Sequence, residues 1–140
     1  MLRTELTIAS FEARQKGSLP DHYGFRLKSI EEGRLTSELQ IQPWMRAPNG
    51  FLHAASVILL ADTTAGYATL AHLPEGARGF TTIELKSNFL GTALQGLLSC
   101  ECTGEHLGRS TQIWSATVFD PNGRRMALFR CTQMVLAGKG

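Results

Sequence analysis

The sequence predicts an α+β fold in which one long central helix is wrapped by a curved antiparallel sheet. Between residues 51 and 73, small or apolar side chains fall on nearly every side of a helix, which is typical of a buried helix. After residue 79, four segments alternate between apolar and polar side chains and are separated by short turn-forming sequences, which is typical of strands. A sheet packed on a helix buries the apolar face of both.

Ahead of the long helix, the chain predicts a short helix and a pair of strands. Residues 6–13 carry the helical pattern, which ends at Gly17. Residues 22–44 contain two alternating segments joined by a turn at residues 31–33. Residues 45–50, MRAPNG, are rich in turn formers and predict the loop that enters the long helix.

The second half of the chain predicts a four-stranded meander. In its third segment Trp114, Ala116 and Val118 lie on one side of the strand, whereas Ile113 and Phe119 lie on the other. Because a strand that is apolar on both sides is covered on both sides, we expect the helix on one face and another layer or subunit on the other. The four predicted strands span residues 80–90, 94–105, 109–119 and 125–136.

Composition and charge exclude several classes of protein. The 140 residues, 43% of them hydrophobic, predict a single domain over residues 1–140, with residues 1–19 as an N-terminal helical segment. The net charge of +2 comes from dispersed basic residues rather than the dense stripe of a nucleic-acid-binding protein. The N-terminus lacks the apolar core of a secretion signal, and no apolar run reaches the ~18 residues of a membrane span. We therefore expect a cytoplasmic protein with neither a nucleic-acid nor a membrane partner.

The cysteines and histidines do not show the spacing of a metal site. No CxxC pair occurs, and the four histidines are scattered along the chain. We expect no metal and no cofactor, and we interpret the cysteines as reduced, small apolar residues. These cysteines are Cys100, Cys102 and Cys131.

Residues 49–66, NGFLHAASVILLADTTAG, place a carboxylate within the apolar helix. The run of small and apolar residues from Ala54 to Ala61 is interrupted only by Ser56 and ends at Asp62. An ionised carboxylate in an apolar element is costly unless it is paired, solvated or used in chemistry. Asp62 is therefore a candidate catalytic acid or base, with a satisfied buried acid or an exposed helix bend as the structural alternatives.

The helix-entry motif and the order of the elements resemble the hotdog-fold acyl-CoA thioesterases, in particular the phenylacetate-pathway (PaaI-like) and 4-hydroxybenzoyl-CoA branch. Gly50, Leu52 and His53 match the family's G-x-L-H-G-G segment, and Asp62 lies nine residues after His53, where the family has its catalytic Asp or Glu. Residues 106–125, HLGRSTQIWSATVFDPNGRR, resemble the family's H-x-G-R turn and D-x-x-G-R hairpin. The resemblance implies a hotdog fold and hydrolysis of an acyl-CoA with an aromatic or medium-length acyl group to the free acid and CoA.

Thioester hydrolysis requires a group that activates water or attacks the carbonyl, and a donor that stabilises the oxyanion. Asp62 suits the first task, as general base or as nucleophile. The first turn of a helix suits the second, because its N–H groups lack intrahelical acceptors. In the family this donor is the amide that follows the motif histidine, which implies Ala54 here. His53 itself either caps the helix or takes part directly.

Two further positions are assigned by comparison with the family. Some members carry an Asn or Gln six residues before the histidine, where this chain has Ala47, so that Asn49 is the nearest amide for the thioester carbonyl. Some relatives supply a Ser or Thr from the partner subunit at the start of the first strand after the helix. This position implies Thr82 or its neighbour Thr81.

The spacing of Ala54 and Asp62 predicts a homodimer. Eight residues separate the two, which is ~12 Å along a helix. A single thioester carbon does not lie within ~3 Å of both groups. If both take part, the amide and the carboxylate come from different chains, which a two-fold dimer with antiparallel central helices allows. The resemblance also implies such a dimer, and we expect a homotetramer of these dimers.

CoA carries phosphate groups, so basic residues are expected at the mouth of the pocket, although each of them is also explained as a solvated surface charge. The acyl group itself is not identified, because the aromatic candidates for its pocket are equally explained by core packing. Those aromatic residues are Trp44, Phe51, Tyr67 and Phe89. The candidate CoA-binding residues are His106, Arg109, Arg124 and Arg125, all at turns of the predicted meander.

Two other functions on the same fold are considered. A hydratase acting on acyl-CoA or acyl-carrier substrates is disfavoured, because its pattern has an Asp and a His a few residues apart at the head of the helix. A non-catalytic hotdog protein that binds acyl-CoA is disfavoured by the presence of Asp62. Release of free thiol from a panel of acyl-CoAs distinguishes these alternatives.

Overall fold

The computed structural model describes residues 1–139 and shows three helices, a short 3₁₀ turn and six strands. The first two helices are short, the third is the central helix, and all strand pairs are antiparallel. The elements in chain order are α1 (Ile8–Gln15), α2 (Leu19–Tyr23), β1 (Arg26–Glu31), β2 (Arg34–Gln40), the 3₁₀ turn (Pro43–Met45), α3 (Ala54–Ala71), β3 (Ala77–Phe89), β4 (Leu97–Leu107), β5 (Thr111–Phe119) and β6 (Arg125–Ala137).

The sheet has the order β1-β2-β4-β5-β6-β3, so the predicted four-stranded meander is wrong at its first strand. Only β4, β5 and β6 follow one another as a meander. β3 pairs with β6, with Thr82 opposite Gln133, and forms one edge of the sheet. The alternating pattern indicates which side chains share a face, but it does not indicate which strand is the neighbour, and consecutive strands are adjacent only about two-thirds of the time.

Most of the remaining element predictions are confirmed, and one helix was not predicted. α1, the β1–β2 pair, α3 and the four later strands all form where the sequence predicts them, within a few residues. The short helix α2 occupies residues that the pattern assigned in part to a strand. Pro20 lies in its first turn, where the fixed φ of proline favours a helix, and Gly24 ends it with a φ of 76°.

The core lies between α3 and the concave face of the sheet. Ala61, Ala65 and Ala68 form a buried stripe of small side chains that lets the helix approach the strands closely. Trp114 of β5 is fully buried, and all three cysteines are buried and unbridged. By length and composition alone, α3 would qualify as a membrane span, but more than half of it is buried inside the fold, as expected of a core helix.

The prediction that α3 is buried on all sides is wrong along one stripe. Side chains spaced three or four residues apart remain only half-buried, because the sheet covers the opposite side of the helix. The outer face of β5 is also half-exposed at Ile113 and Phe119, with no second layer over it among residues 1–139. We refer to the uncovered stripe as the open side of α3, and it consists of Leu59, Asp62, Thr63, Tyr67 and Leu70.

Candidate active site

Asp62 lies on the open side of α3 at the edge of a cavity of about 230 Å³. Its carboxylate is half-buried and accepts no hydrogen bond from residues 1–139. Burial raises the pKa of the Asp62 carboxyl above its ordinary value of 3.8. A carboxyl group with a raised pKa and no partner in a cleft is a candidate for acid–base chemistry.

The cavity lies between the open side of α3 and the edge strand β3. Gly66 allows the close approach, since a Cβ atom there would lie 3.3 Å from the ring of Phe80. The pairing of β3 with β6 is irregular between Thr82 and Glu84, and such bulges redirect side chains next to active sites. The residues lining the cavity are Pro20, Asp62, Thr63, Gly66, Tyr67, Leu70, Phe80, Thr82 and Gln133.

The first turn of α3 includes a backbone donor, the Ala54 N–H, that has no partner among residues 1–139. His53 is the N-cap, and its Nδ1 accepts a hydrogen bond from the Ala55 N–H at 2.9 Å. The Ser56 N–H donates to the His53 carbonyl at 2.9 Å. The Ala54 N–H, on an exposed residue, makes no hydrogen bond within residues 1–139. The geometry therefore leaves the Ala54 amide available to an oxyanion.

The structure shows the capping alternative for His53. An Nδ1 atom that accepts a hydrogen bond carries no proton, so the neutral ring holds its proton on Nε2 and can donate from that atom. A side-chain cap of this kind satisfies one of the orphan donors of the helix start. Direct participation of His53 through Nε2 stays a prediction.

The loop before α3 is held by a tight turn that involves Asn49. Its Oδ1 accepts a hydrogen bond from the Phe51 N–H at 3.1 Å, and the Ala47 N–H donates to the Phe51 carbonyl at 2.7 Å. Gly50 has a φ of 87°, a conformation that side chains other than glycine rarely adopt. The Asn49 side chain thus orders this loop, and its contact with a thioester carbonyl stays a prediction.

Ala54 and Asp62 do not come together within one chain. Both belong to the continuous helix α3, so the ~12 Å derived from their spacing holds in the structure. Thr82, in contrast, lines the same cavity as Asp62 of its own chain. The resemblance implied a hydroxyl that the partner subunit supplies from this position, and that role of Thr82 stays a prediction.

The four candidate CoA-binding residues fall into two pairs at opposite ends of β5. His106 is the last residue but one of β4 and Arg109 lies in the β4–β5 turn, whereas Arg124 directly precedes β6 and Arg125 begins it. The nine residues of β5 span about 27 Å, so one chain does not present all four to one phosphate group. Arg109 lies beside the segment that follows α3, Pro74 to Ala77.

The structure also separates the aromatic candidates and adds residues that the sequence analysis missed. Tyr67 lines the cavity, and its hydroxyl donates to Gln15 Oε1 at 2.7 Å. The three other aromatic candidates are about half-exposed and lie outside this cavity. Phe80 and Gln133 were missed. The sequence could have pointed to Gln133, because this polar residue interrupts the run of inward-facing apolar residues on β6 that includes Phe129 and Cys131.

Six antiparallel strands wrapped around one central helix form a hotdog fold, and the Asp62 carboxylate on the open side of that helix has no hydrogen-bond partner among residues 1–139. The family model described as Thioesterase superfamily matches residues 49–127, and the chain belongs to this family. It is a thioester hydrolase with the hotdog fold, as the resemblance in sequence implied.

Individual relatives support the same assignment over nearly the whole chain. The proofreading thioesterase EntH of Klebsiella pneumoniae is 31% identical over 96% of this chain and 97% of its own length. A 1,4-dihydroxy-2-naphthoyl-CoA hydrolase of Escherichia coli is 25% identical over 96% of this chain and 98% of its own length. The crystal structure of a mutant of thioesterase PA1618 from Pseudomonas aeruginosa superimposes with a TM-score of 0.91 at 24% identity, covering 97% of this chain and 98% of that one.

The raised pKa of Asp62 predicts how the Asp62→Asn change affects stability. Between the ordinary pKa of 3.8 and the raised one, the folded chain binds more protons than the unfolded chain, so the free energy of unfolding falls as pH rises through this window. The Asn side chain of the variant does not titrate, so residue 62 makes no pH-dependent contribution to the free energy of unfolding of Asp62→Asn. We expect Asp62→Asn to be more stable than the parent near neutral pH, with the difference shrinking toward about pH 4.

Urea unfolding of both proteins at several pH values measures this difference. Equal stability of the parent and Asp62→Asn at all pH values would show that the Asp62 carboxylate is solvated or paired in the protein in solution.

Proposed function

We propose that this thioesterase hydrolyses an acyl-CoA with a small acyl group, with Asp62 as its general base or nucleophile. The observation that carries the proposal is the half-buried, unpartnered Asp62 carboxylate at a cavity of about 230 Å³. Cavities of about 150 Å³ in proteins take up benzene, so this volume suits a single ring or a short chain. Of the acyl groups that the resemblance implies, this volume favours a single-ring aromatic group over a medium-length chain.

The proposed reaction begins with the attack of water on the thioester carbonyl. Acting as general base, Asp62 takes the proton of the water as its oxygen bonds to the carbonyl carbon. The carbonyl oxygen becomes an oxyanion, which accepts a hydrogen bond from the partner's Ala54 amide. The C–S bond then breaks, the protonated Asp62 returns its proton to the thiolate, and the acid and CoA leave. As nucleophile, the Asp62 carboxylate would instead attack the carbonyl carbon and break the C–S bond, so that CoA leaves as the thiolate and a mixed anhydride remains. Water would then cleave the anhydride, which releases the acid and restores the Asp62 carboxylate, and the proton lost by the water goes to the thiolate.

Dimerisation through the edge strand β3 would bring the two groups together. β3 has 13 residues, and only one of its sides is paired within residues 1–139. Ile83, Leu85 and Phe89 on this strand are 39–55% exposed. A long apolar edge strand is a site for pairing with another chain. In the proposed dimer, two-fold pairing at this edge would set the open sides of the two α3 helices next to each other in antiparallel order. A tetramer of two dimers and a cytoplasmic location stay predictions.

Substrates carried on CoA are supported by the name of one relative, the 1,4-dihydroxy-2-naphthoyl-CoA hydrolase. The test is release of free thiol from aromatic and aliphatic acyl-CoAs, compared with the matching acyl-pantetheine thioesters, which lack the nucleotide. We expect kcat/KM to be at least 10-fold higher for the CoA esters, because the charged nucleotide adds binding free energy. Equal values for both kinds of ester would contradict CoA as the carrier, and binding without thiol release would contradict hydrolysis of these substrates.

His106 and Arg109 lie at one end of β5, and Arg124 and Arg125 lie at the other. This separation predicts that only one end of β5 binds the CoA phosphates. If Arg109 belongs to that end, Arg109→Ala should raise KM about 10-fold with a smaller change in kcat, and the remaining affinity should be less sensitive to salt. Steady-state kinetics at low and high salt measure both effects. Arg124→Ala, at the other end of the strand, is the matched control and should leave KM nearly unchanged. The reverse pattern would assign the phosphates to the Arg124 end.

A further inference from the structure

Two buried glutamines lie opposite each other on neighbouring strands, and only one of them is hydrogen-bonded. Gln112 of β5 pairs in register with Gln133 of β6, and both are 0% exposed. Gln112 donates from Nε2 to the His72 carbonyl at 2.8 Å and accepts from Trp114 Nε1 at 2.9 Å. Neither Nε2 nor Oε1 of Gln133 has a partner among residues 1–139. The pair thus offers an internal comparison between a satisfied amide and an unsatisfied one.

An unsatisfied buried amide requires a hydrogen-bond partner that is not among residues 1–139. Burying an amide without hydrogen bonds loses its interactions with water and gains nothing in return. The other inward positions of β6, such as Ala127, Phe129 and Cys131, are apolar, and an apolar side chain at residue 133 would fill the same space without that loss. Because native proteins pair nearly all of their buried polar groups, the amide of Gln133 requires an explanation.

The position of Gln133 relates it to the acyl end of the cavity. Gln133 lines the cavity that Asp62 lines, together with the apolar side chains of Leu70 and Phe80. It lies two residues beyond Cys131, whose pKa is raised by burial and by the nearby Asp62 carboxylate. Two strand residues span about 7 Å, whereas a hydrogen bond spans about 3 Å, so Gln133 and Cys131 face different parts of the protein along β6. Gln133 lines the cavity opposite Thr82 of β3, and its amide suits a part of the substrate other than the reacting carbonyl.

We propose that Gln133 is a specificity-determining residue that hydrogen-bonds a hydroxyl group on the acyl part of the thioester. A primary amide offers both a donor and an acceptor, and a hydroxyl group needs both. The walls around it are apolar, so the cavity favours a ring or short chain that carries one polar substituent. This assignment rests on the proposed hydrolysis of small acyl-CoAs and adds to it which acyl groups are selected.

The test compares acyl-CoA pairs that differ by one hydroxyl group. Suitable pairs are benzoyl-CoA with its 2-, 3- and 4-hydroxy derivatives, and butanoyl-CoA with 3-hydroxybutanoyl-CoA. We expect the parent to prefer at least one hydroxylated member by 10-fold or more in kcat/KM, because a site built for a hydroxyl group discriminates strongly against its absence. Gln133→Leu should lose this preference by reduced activity on the hydroxylated substrate, with activity on its unsubstituted partner retained.

Thermal unfolding supplies the matched control. Gln133→Leu should keep or raise the melting temperature, since it removes an unsatisfied amide. Gln112→Leu should lower the melting temperature, because it leaves the His72 carbonyl and Trp114 Nε1 without partners. A fall in the melting temperature of Gln133→Leu equal to that of Gln112→Leu would show that an internal water satisfies Gln133, and it would overturn the proposal.

Other outcomes separate this inference from the proposed function. Equal losses on both members of every pair, or a parent without any hydroxyl preference, overturn the role of Gln133 while hydrolysis stands. If the parent hydrolyses no acyl-CoA, the proposed function fails, and Gln133 is then judged by ligand binding. Hydroxybenzoate should raise the melting temperature of the parent more than benzoate does, and Gln133→Leu should abolish the difference. Equal shifts for the two acids in the parent overturn the inference.

Discussion

Replacing Asp62 by Asn should lower kcat by roughly 10²-fold or more, while the protein stays folded. The amide keeps the shape of the side chain, but it neither takes a proton from water nor attacks a carbonyl. Steady-state thiol release from an acyl-CoA that the parent hydrolyses measures the loss. The carboxylate must be ionised to act, and burial raises its pKa. As the pH is lowered, kcat/KM of the parent should therefore begin to fall at a higher pH than it would with an Asp of ordinary pKa.

A second acid serves as the control for the loss of one negative charge. Glu12 is exposed on α1 and forms no ion pair or side-chain hydrogen bond within residues 1–139. Glu12→Gln should therefore retain the activity of the parent. Near-normal turnover by a folded Asp62→Asn protein would remove Asp62 from the mechanism and direct attention to His53, which lies at the start of the same helix.

Mixing two inactive variants should restore activity if each site takes its acid from one chain and its amide from the other. Asp62→Asn removes the acid, and Ala54→Pro removes the backbone N–H at the helix start. In each homodimer both sites are damaged, and loss of one oxyanion donor alone costs about 10²–10³ in kcat. The heterodimer has one doubly damaged site and one intact site. It should therefore recover up to about half the activity of a parent dimer.

The local structure favours the proline variant as a folded protein. His53 has φ −64° and ψ 134°, an extended conformation of the kind that a following proline requires. Proline is tolerated in the first turn of a helix, and the Ala54 N–H makes no hydrogen bond that the change would break. Ala54→Ser keeps the N–H and is the matched control, which should remain active.

Subunit exchange must be confirmed by native mass spectrometry before the activities are compared. Exchange without recovery of activity would contradict the shared site and require an oxyanion donor on the same chain as Asp62. A monomeric parent would contradict the dimer itself, and with it the assignment of Ala54 to the neighbouring site.

The pattern along the chain was sufficient to predict the central helix and the acid within it, whereas Ala54 was implied by the resemblance to the family. Fixed helix geometry converts the eight positions from Ala54 to Asp62 into a distance, and that distance holds in α3. The buried cysteines and Trp114 also lie where strand alternation places them. These inferences succeed because the rise and periodicity of helices and strands depend on local backbone geometry alone.

Features that depend on which elements are neighbours required the tertiary structure. The pairing of β3 with β6 places Gln133 opposite Thr82 and on the cavity that Asp62 lines, although Gln133 comes 71 positions after Asp62 in the chain. The same topology separates Arg109 from Arg124 by the length of β5. Whether a buried amide is satisfied depends on the few atoms that the fold brings within hydrogen-bonding distance. Two glutamines that look alike in sequence, Gln112 and Gln133, therefore differ only once the chain is folded.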